Sequence, residues 1–154
     1  MADLEAAVQH MINLCNDDSH GYDWANRWGP DYDCSSSIIT ALRTGGFDTG
    51  SANTTRDMSS ELCARGWVRL PPNVEKQRGD ICLNDENHVE MYIGDGLLAG
   101  FHSNEFGGVY GGQPGDQTGN EGSIGAYYDY PWNCVLRWPE GIKKKLTLVR
   151  WIPK

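Results

Sequence analysis

The first third of the chain carries apolar residues at the spacing of an amphipathic helix. Between Leu4 and Cys15 they recur every three or four positions, which is the period of one helix face. Asp3 stands where an N-cap residue accepts hydrogen bonds from the first turn. We therefore predict a first helix that ends near residues 16–19. Residues 16–33 are rich in Asp, Gly, Asn and aromatic residues and indicate an irregular surface loop.

Two further helices are predicted after this loop. Residues 34–44 have an apolar stripe at helical spacing, with Asp33 in the N-cap position and two glycines directly after the stripe. This second helix begins at a cysteine. A third helix is predicted over residues 55–65, because Thr54 and Asp57 have the spacing of a capping box.

Beyond residue 66 the pattern changes to short β-prone runs separated by turns. These runs predict strands at residues 67–70, 80–83, 88–93, 97–103 and 135–138. A hairpin is expected across the turn at residues 94–96, whereas residues 107–125 are Gly-rich and polar and indicate a long ordered loop. Helices followed by strands predict an α+β domain in which N-terminal helices pack on an antiparallel β-sheet.

Composition and charge narrow the range of partners. Of the 154 residues 39% are hydrophobic and 22% are charged, which is the balance of a globular domain. The 21 acidic and 13 basic side chains give a formal net charge of −8. That charge disfavours binding to nucleic acid and to anionic membranes. The basic run at residues 143–145 is typical of a solvated tail or linker.

The sequence also bears on where the protein is made. It contains no stretch of the roughly 18 apolar residues that span a bilayer. Residues 1–10 carry Asp3 and Glu5 where a signal peptide needs Lys or Arg. We therefore expect synthesis in the cytoplasm without a signal peptide, and no membrane insertion.

Five cysteines without any CxxC pair argue against both a disulfide framework and a zinc knuckle. Most free cysteines are simply small buried side chains. Cys34 differs because it begins a helix, where the helix dipole and unpaired backbone N–H groups favour the thiolate. His88 begins a strand that could bring a base to this thiol. Taken alone, the two residues also fit a buried helix start and a surface histidine.

Four sequence motifs make the pairing of Cys34 with His88 specific. They read YDWANRWGPDYDCSS from Tyr22, RGDI from Arg78, HVEMYIGDG from His88, and GDQTGNE followed by YYDYPWNCVLR between residues 115 and 137. In this order the chain resembles the NlpC-type papain-like cysteine peptidoglycan hydrolases, and more closely the amidohydrolase domains of bacteriophage and prophage endolysins. The resemblance covers about residues 22–138.

The resemblance implies a papain-like fold and a role for each matched residue. Cys34 would be the nucleophile and His88 the general base. Tyr22, twelve residues before the cysteine, would donate its hydroxyl to the oxyanion together with the Cys34 backbone N–H. No metal or cofactor is implied.

The residue that orients the imidazole departs from the family pattern. Relatives generally carry a polar residue twelve positions after the histidine, and here that position is Gly100. A hairpin turning at Asp95 places Gly100 opposite Glu90 and His102 opposite His88. Either Glu90 or His102 could therefore orient His88, and we slightly favour His102. A solvated strand residue is the alternative role for Glu90.

Further residues around the cysteine are candidates for substrate binding. Asp33 and Ser35 flank Cys34, and Tyr22 and Trp24 belong to an aromatic segment that either walls a groove or anchors the loop in the core. The aspartates of this segment, residues 17, 18, 23, 31 and 33, lack EF-hand spacing, so we expect no calcium site.

The function expected from these features is hydrolysis of a stem-peptide amide bond in peptidoglycan. A D-glutamyl endopeptidase is favoured over an N-acetylmuramoyl-L-alanine amidase, because the wider NlpC-like group implies it. A non-catalytic wall-binding module and a toxin effector with an immunity partner are the alternatives from other classes.

The expected setting is phage lysis, with the protein reaching the host wall after release. We expect a monomeric catalytic domain over residues 1–140 and a linker or following module over residues 141–154. A net charge of −8 gives little attraction to an anionic cell wall. We therefore expect a separate cell-wall-binding domain. The host, the cross-bridge chemistry and the natural carboxyl end stay open.

Overall fold

A computed structural model describes residues 2–17, 19–102 and 121–142. Three helices come first: α1 (Leu4–Asn16), α2 (Cys34–Thr44) and α3 (Thr55–Cys63). The strands that follow are β1 (Val68–Leu70), β2 (Ile81–Asn84), β3 (His88–Gly94), β4 (Leu97–Phe101), β5 (Gly122–Ala126) and β6 (Cys134–Arg137). The predicted α+β order, helices before sheet, is confirmed.

The first two helices form where the capping residues predict them. Asp3 caps α1 by accepting a hydrogen bond from the Ala6 amide at 3.1 Å. The two helices pack together closely at Gly45, whose carbonyl accepts a hydrogen bond from the Asp3 amide at 2.7 Å. A side chain at Gly45 would place its Cβ 2.7 Å from the Asp3 carbonyl oxygen, so glycine is required there. The helix that begins at Cys34 is thereby fixed against α1.

The third helix is shorter than predicted. Its capping box between Thr54 and Asp57 forms as expected. The helix ends at Cys63 instead of residue 65, because the amides of Arg65 and Gly66 bond the carbonyls three residues earlier. Such bonds tighten a helix end into a turn.

The strands form one antiparallel sheet in the order β1-β6-β2-β3-β4-β5. The predicted hairpin is confirmed: Met91 pairs with Ala99 and Tyr92 with Leu98. All three residues of its turn, 94–96, have positive φ, between 54° and 98°. This conformation explains the two glycines that flank Asp95.

One strand lies where the sequence predicts only a loop. Residues 107–125 were expected to form a long loop, but Gly122–Ala126 forms β5 and pairs with β4. Gly122 lies against the Phe101 ring, where an added Cβ would be 2.6 Å from the nearest carbon. Pairing and this close approach create a strand whose own sequence has little β-propensity. The remainder of the expected loop, residues 107–120, lies outside the described residues, as do residues 143–154 of the expected linker.

The sheet has two distinct faces. Helices α1 and α2 cover one face, where Val89 and Met91 are fully buried in the main core. Alternate residues of β3 point the other way. On that second face a smaller cluster surrounds Cys82, Leu98 and Trp132. His88 and Glu90 belong to this second face, at the end of β3 that approaches the start of α2.

Candidate active site

Cys34 is held at the first turn of α2 by a complete capping box. The Asp33 carboxylate accepts a hydrogen bond from the Ser36 amide at 2.8 Å, and the Ser36 hydroxyl accepts one from the Asp33 amide at 2.9 Å. Only 7% of Cys34 is exposed. The thiol therefore lies in a fixed place at the positive end of the helix dipole.

His88 connects this thiol to the sheet. Its Nε2 lies 2.8 Å from Glu90 Oε2, and the Cys34 thiol lies close enough to the ring to shift the pKa of His88. The ring stacks on Trp132 at a centroid distance of 6.0 Å and meets the edge of Tyr130 at 5.6 Å. Because Nε2 is bonded to Glu90, Nδ1 is the nitrogen that can exchange a proton with the thiol.

The surroundings of His88 favour its protonated form. Burial lowers the pKa of His88, but hydrogen bonds to Cys34 and Glu90 and the negative charges of both outweigh burial. The net result raises the pKa of His88 to about 9. At neutral pH the imidazole is therefore protonated, so it can stabilise a thiolate beside it.

Glu90 is a buried carboxylate, 5% exposed, and its hydrogen bonds come from titratable side chains. Oε2 accepts hydrogen bonds from His88 and from the Tyr128 hydroxyl. Burial, followed by this hydrogen bond and the Glu90 charge, raises the pKa of Tyr128, so the phenol stays protonated as a donor. Gly100 makes room for the carboxylate, since an added Cβ there would lie 2.6 Å from Glu90 Cγ.

The structure brings Glu90 to the His88 ring, and it gives His102 partners on the neighbouring chain segment. The His102 Nε2 lies 2.8 Å from the Ser123 hydroxyl, and the His102 amide donates to the Glu121 carbonyl at 3.0 Å. Strand β4 ends at Phe101, so His102 follows the neighbouring strand β5 instead of continuing opposite His88. The His88 ring donates its hydrogen bond to Glu90, while His102 lines a neighbouring cavity that Glu90 also lines.

Tyr22 reaches the thiol from the loop before α2. Its hydroxyl accepts a hydrogen bond from Trp24 Nε1 at 3.0 Å, and the Cys34 thiol lies close enough to shift the pKa of Tyr22. Burial and the neighbouring negative charge of Cys34 raise the pKa of Tyr22, so the hydroxyl keeps its proton. A protonated hydroxyl beside the thiol is a donor suited to a developing oxyanion.

The expected substrate-binding residues surround a cleft of about 130 Å³ at the thiol. Trp24 is half exposed at this cleft. Asp33 and Ser35 also line it, although their polar atoms are engaged with the helix cap and with Arg27. The lining comprises Tyr22, Trp24, Asp33, Cys34, Ser35, Thr54, Thr55, Glu86 and Asn87.

The other cysteines lie in different surroundings. All five thiols are free. Burial raises the pKa of Cys15 and of Cys82 to about 12, and that of Cys134 to about 11. These three thiols are therefore protonated at neutral pH and inert.

The described part of the chain contains neither a metal-binding cluster nor a helix that could span a membrane. Within residues 2–17, 19–102 and 121–142, no three His, Cys, Asp or Glu side chains are grouped so that they could hold a metal ion. Asp18, one of the aspartates weighed for calcium, lies outside those ranges. No helix in the described part of the chain is long and apolar enough to span a membrane.

Sequence comparison yields two family matches. A family described as bacteriophage peptidoglycan hydrolase matches residues 4–96, and one described as endolysin-like domain matches residues 98–149. The first match alone covers more than half of the chain and includes Cys34, His88 and Glu90. No curated protein matches the sequence.

Comparison with solved structures supports the fold. The P60 domain of an antigen from M. avium subspecies paratuberculosis aligns with a TM-score of 0.60 at 16% identity, covering 87% of this chain and 96% of that domain. The peptidoglycan hydrolase RipB from Mycobacterium tuberculosis aligns with a TM-score of 0.59 at 18% identity, covering 87% and 65%. The fold is therefore the papain-like NlpC/P60 fold.

Proposed function

Because this chain belongs to the family of bacteriophage peptidoglycan hydrolases, we propose that it cleaves a stem-peptide amide bond through a Cys34 thiolate. The family membership makes it a cell-wall hydrolase. One observation supports the finer proposal: the Cys34 thiol at the start of α2 lies beside His88, whose Nε2 is hydrogen-bonded to Glu90. Helix start, base and orienting carboxylate are the parts that an activated cysteine nucleophile needs.

In the first half of the reaction the thiolate attacks the amide carbonyl carbon. A C–S bond forms, and the carbonyl electrons move to oxygen. The Tyr22 hydroxyl and the Cys34 backbone N–H donate to this oxyanion. The His88 imidazolium then gives its proton to the amide nitrogen as the C–N bond breaks, which leaves a thioester on Cys34 and a free amine.

In the second half neutral His88 takes a proton from water, which attacks the thioester. The C–S bond breaks, the acid product leaves, and the thiolate and imidazolium are restored. Glu90 keeps the ring in place and stabilises its charged form through Nε2, and Tyr128 holds Glu90 in turn. No step requires a metal.

We propose the bond at the carboxyl side of D-glutamate as the one cleaved, on the strength of the NlpC-like resemblance. The bond between N-acetylmuramic acid and L-alanine is the alternative within the same chemistry. Both are amides, and the products differ: endopeptidase cleavage leaves new amino groups within the stem or cross-bridge, whereas amidase cleavage releases stem peptides with N-terminal alanine.

Digestion of purified peptidoglycan tests both the role of the Cys34 thiolate and the choice of bond. Wild type, Cys34→Ala and a matched control, Cys63→Ala, are compared by mass spectrometry of the fragments and by assay of new amino groups. We expect stem cleavage by wild type and Cys63→Ala and none by Cys34→Ala. Stem peptides with N-terminal alanine would replace the endopeptidase with the amidase. Equal digestion by Cys34→Ala would refute the thiolate mechanism.

A further inference from the structure

Arg27 reaches from the loop before α2 to both sequence neighbours of Cys34. Its Nε donates to Asp33 Oδ2 at 2.6 Å, and its Nη2 to Asp33 Oδ1 at 3.2 Å. Nη2 also donates to the Ser35 hydroxyl at 2.8 Å. A planar guanidinium can bind a carboxylate with two bonds in this way, and it keeps its charge at every working pH.

The Arg27 guanidinium is also bonded to Asn53, in the segment before α3. Nη1 donates to Asn53 Oδ1 at 3.0 Å, and Nη2 to the Asn53 carbonyl. The guanidinium also lies over the Trp28 ring, 4.7 Å from its centroid. Only 11% of the side chain is exposed. Arg27 therefore links the loop, the start of α2 and the segment before α3 at one point.

We propose that Arg27 is a positioning residue for the nucleophile: it neutralises the Asp33 carboxylate beside Cys34 and fixes the first turn of α2. The inference rests on the proposed role of Cys34. Nothing in the reaction requires Arg27 to touch the substrate.

The need for this residue follows from the cap itself. Asp33 must offer an oxygen to the Ser36 amide, yet it lines the same cleft as Cys34, where a negative charge disfavours a thiolate. An asparagine could cap without charge, so a capping aspartate needs compensation. Arg27 supplies that compensation and leaves the capping oxygen in place.

The other charged and titratable groups around the thiol set the balance of positive and negative charge at the site. The loop contributes Tyr22, β3 contributes His88 and Glu90, and the turn between β2 and β3 contributes Glu86. The start of α3 contributes only threonine side chains to the cleft. Among these described groups the cations are His88 and Arg27, against the carboxylates of Asp33, Glu86 and Glu90. Without Arg27, the imidazolium alone would oppose three carboxylates.

A double-variant experiment separates charge compensation from a merely structural role. The rate at which iodoacetamide alkylates Cys34 is measured against pH by mass spectrometry in wild type, Arg27→Met, Asp33→Asn and the double variant. We expect Arg27→Met to move the half-maximal rate upward by about one pH unit. The double variant should return toward wild type, since the uncompensated charge is gone.

Arg27→Lys tests the geometry, because it keeps the charge and loses the two-pronged contact. We expect a nearly wild-type alkylation profile with kcat on peptidoglycan reduced several-fold and KM little changed. Thermal unfolding of each variant shows that it is folded under the assay conditions. An unchanged profile in Arg27→Met, or failure of Asp33→Asn to restore it, would overturn the proposal.

This test is independent of hydrolysis. Alkylation needs no peptidoglycan. If the proposed function is wrong, Cys34→Ala still digests peptidoglycan, and the coupling of Arg27, Asp33 and Cys34 can be measured all the same. Conversely, a Cys34-dependent hydrolase with no such coupling would contradict the role of Arg27 alone.

Discussion

Two buried carboxylates belong to the β2–β3 hairpin: Asp80 lies at its open end, directly before β2, and Glu90 lies in β3 next to His88, which begins that strand at the turn. Asp80 is 2% exposed and Glu90 5%. Arg137 contacts both oxygens of Asp80, at 2.9 and 2.7 Å, and the Gln77 amide adds a third bond at 2.7 Å. Glu90 instead bonds the ring of His88 and the hydroxyl of Tyr128.

The partners decide what each carboxylate can do. The hydrogen bonds that Arg137 donates to Asp80 raise the pKa of Arg137 further above its already high value, so the guanidinium keeps its charge at every working pH. His88, by contrast, has a pKa of about 9 and can give up its proton to a reacting group. One end of the hairpin therefore holds a fixed ion pair that fastens β6 to β2, while the other holds a mobile proton beside a thiol.

The largest effect on kcat is expected at the His88 end of the β2–β3 hairpin and not at the Asp80 end. His88→Ala should lower kcat on peptidoglycan by at least about 10³-fold, because it removes the base and the acid of both half-reactions. Asp80→Asn should leave kcat per folded molecule near wild type, yet lower the free energy of unfolding by about 3 kcal/mol, since Arg137 loses its partner. Rates of wall digestion and urea unfolding measure both. A stable but inactive Asp80→Asn would erase the distinction.

Glu90→Gln is expected to have the next largest effect. It keeps the shape but removes the charge that supports the imidazolium, so kcat should fall by about 10²-fold. His102→Ala should retain most of the activity, because Glu90 is the direct partner. Comparable losses in the two variants would restore His102 to the role that the sequence favoured.

The pH dependence of Glu90→Gln sharpens this prediction. The raised pKa of His88, about 9, means that activity should decline as pH rises through 9, and the decline should begin at lower pH in Glu90→Gln. In the unfolded chain a histidine titrates near 6.5. His88 protonation therefore stabilises the fold fully below pH 6.5, and that contribution is lost as pH rises through 9. Urea midpoints at pH 6 and pH 9.5 should differ less in Glu90→Gln than in wild type.

Gly100→Ala is expected to have an intermediate effect. Its Cβ would lie 2.6 Å from Glu90 Cγ and 2.8 Å from the carboxyl carbon, so the carboxylate must move away from His88. We expect a roughly tenfold loss of kcat and about 1–2 kcal/mol of destabilisation. Gly125→Ala on β5 is the control, since its Cβ would meet nothing within 4 Å. Equal activity in the two variants would show that Glu90 need not stay in place.

Tyr128→Phe should have the smallest effect. It removes one hydrogen bond to Glu90 and leaves the contact with His88, so kcat should fall roughly threefold to tenfold. Steady-state kinetics on the same substrate measures this change. A loss as large as that of Glu90→Gln would mean that Tyr128 takes part directly in the chemistry.

The β3–β4 hairpin shows how much of the fold can be predicted from the local sequence pattern. A turn at Asp95 predicts that Gly100 faces Glu90, and the structure brings the two residues together, although a bulge between Tyr92 and Gly94 shifts the register near the turn. The strand Gly122–Ala126 was not predictable, because it owes its conformation to its pairing with β4. Capping residues predicted the start of α3, whereas its end depends on bonds within the turn that follows.

The residues of the candidate site likewise fall into those that the sequence predicts and those that only the tertiary fold reveals. Cys34 and His88 stand out because each begins an element and each belongs to a motif. Alternation puts Glu90 and His102 on one face but does not say which side chain meets the ring. Arg27 and Tyr128 carry no periodic signal, since both lie in irregular segments that only the tertiary fold brings to the site.

Trapping the covalent intermediate tests the central claim most directly. Wild-type protein is mixed with solubilised peptidoglycan fragments, quenched in acid within milliseconds to seconds, digested and analysed by mass spectrometry. The mechanism predicts a peptidyl thioester on the peptide that contains Cys34, and no such adduct in Cys34→Ala. Continued hydrolysis by Cys34→Ala, or an adduct on another residue, would contradict it.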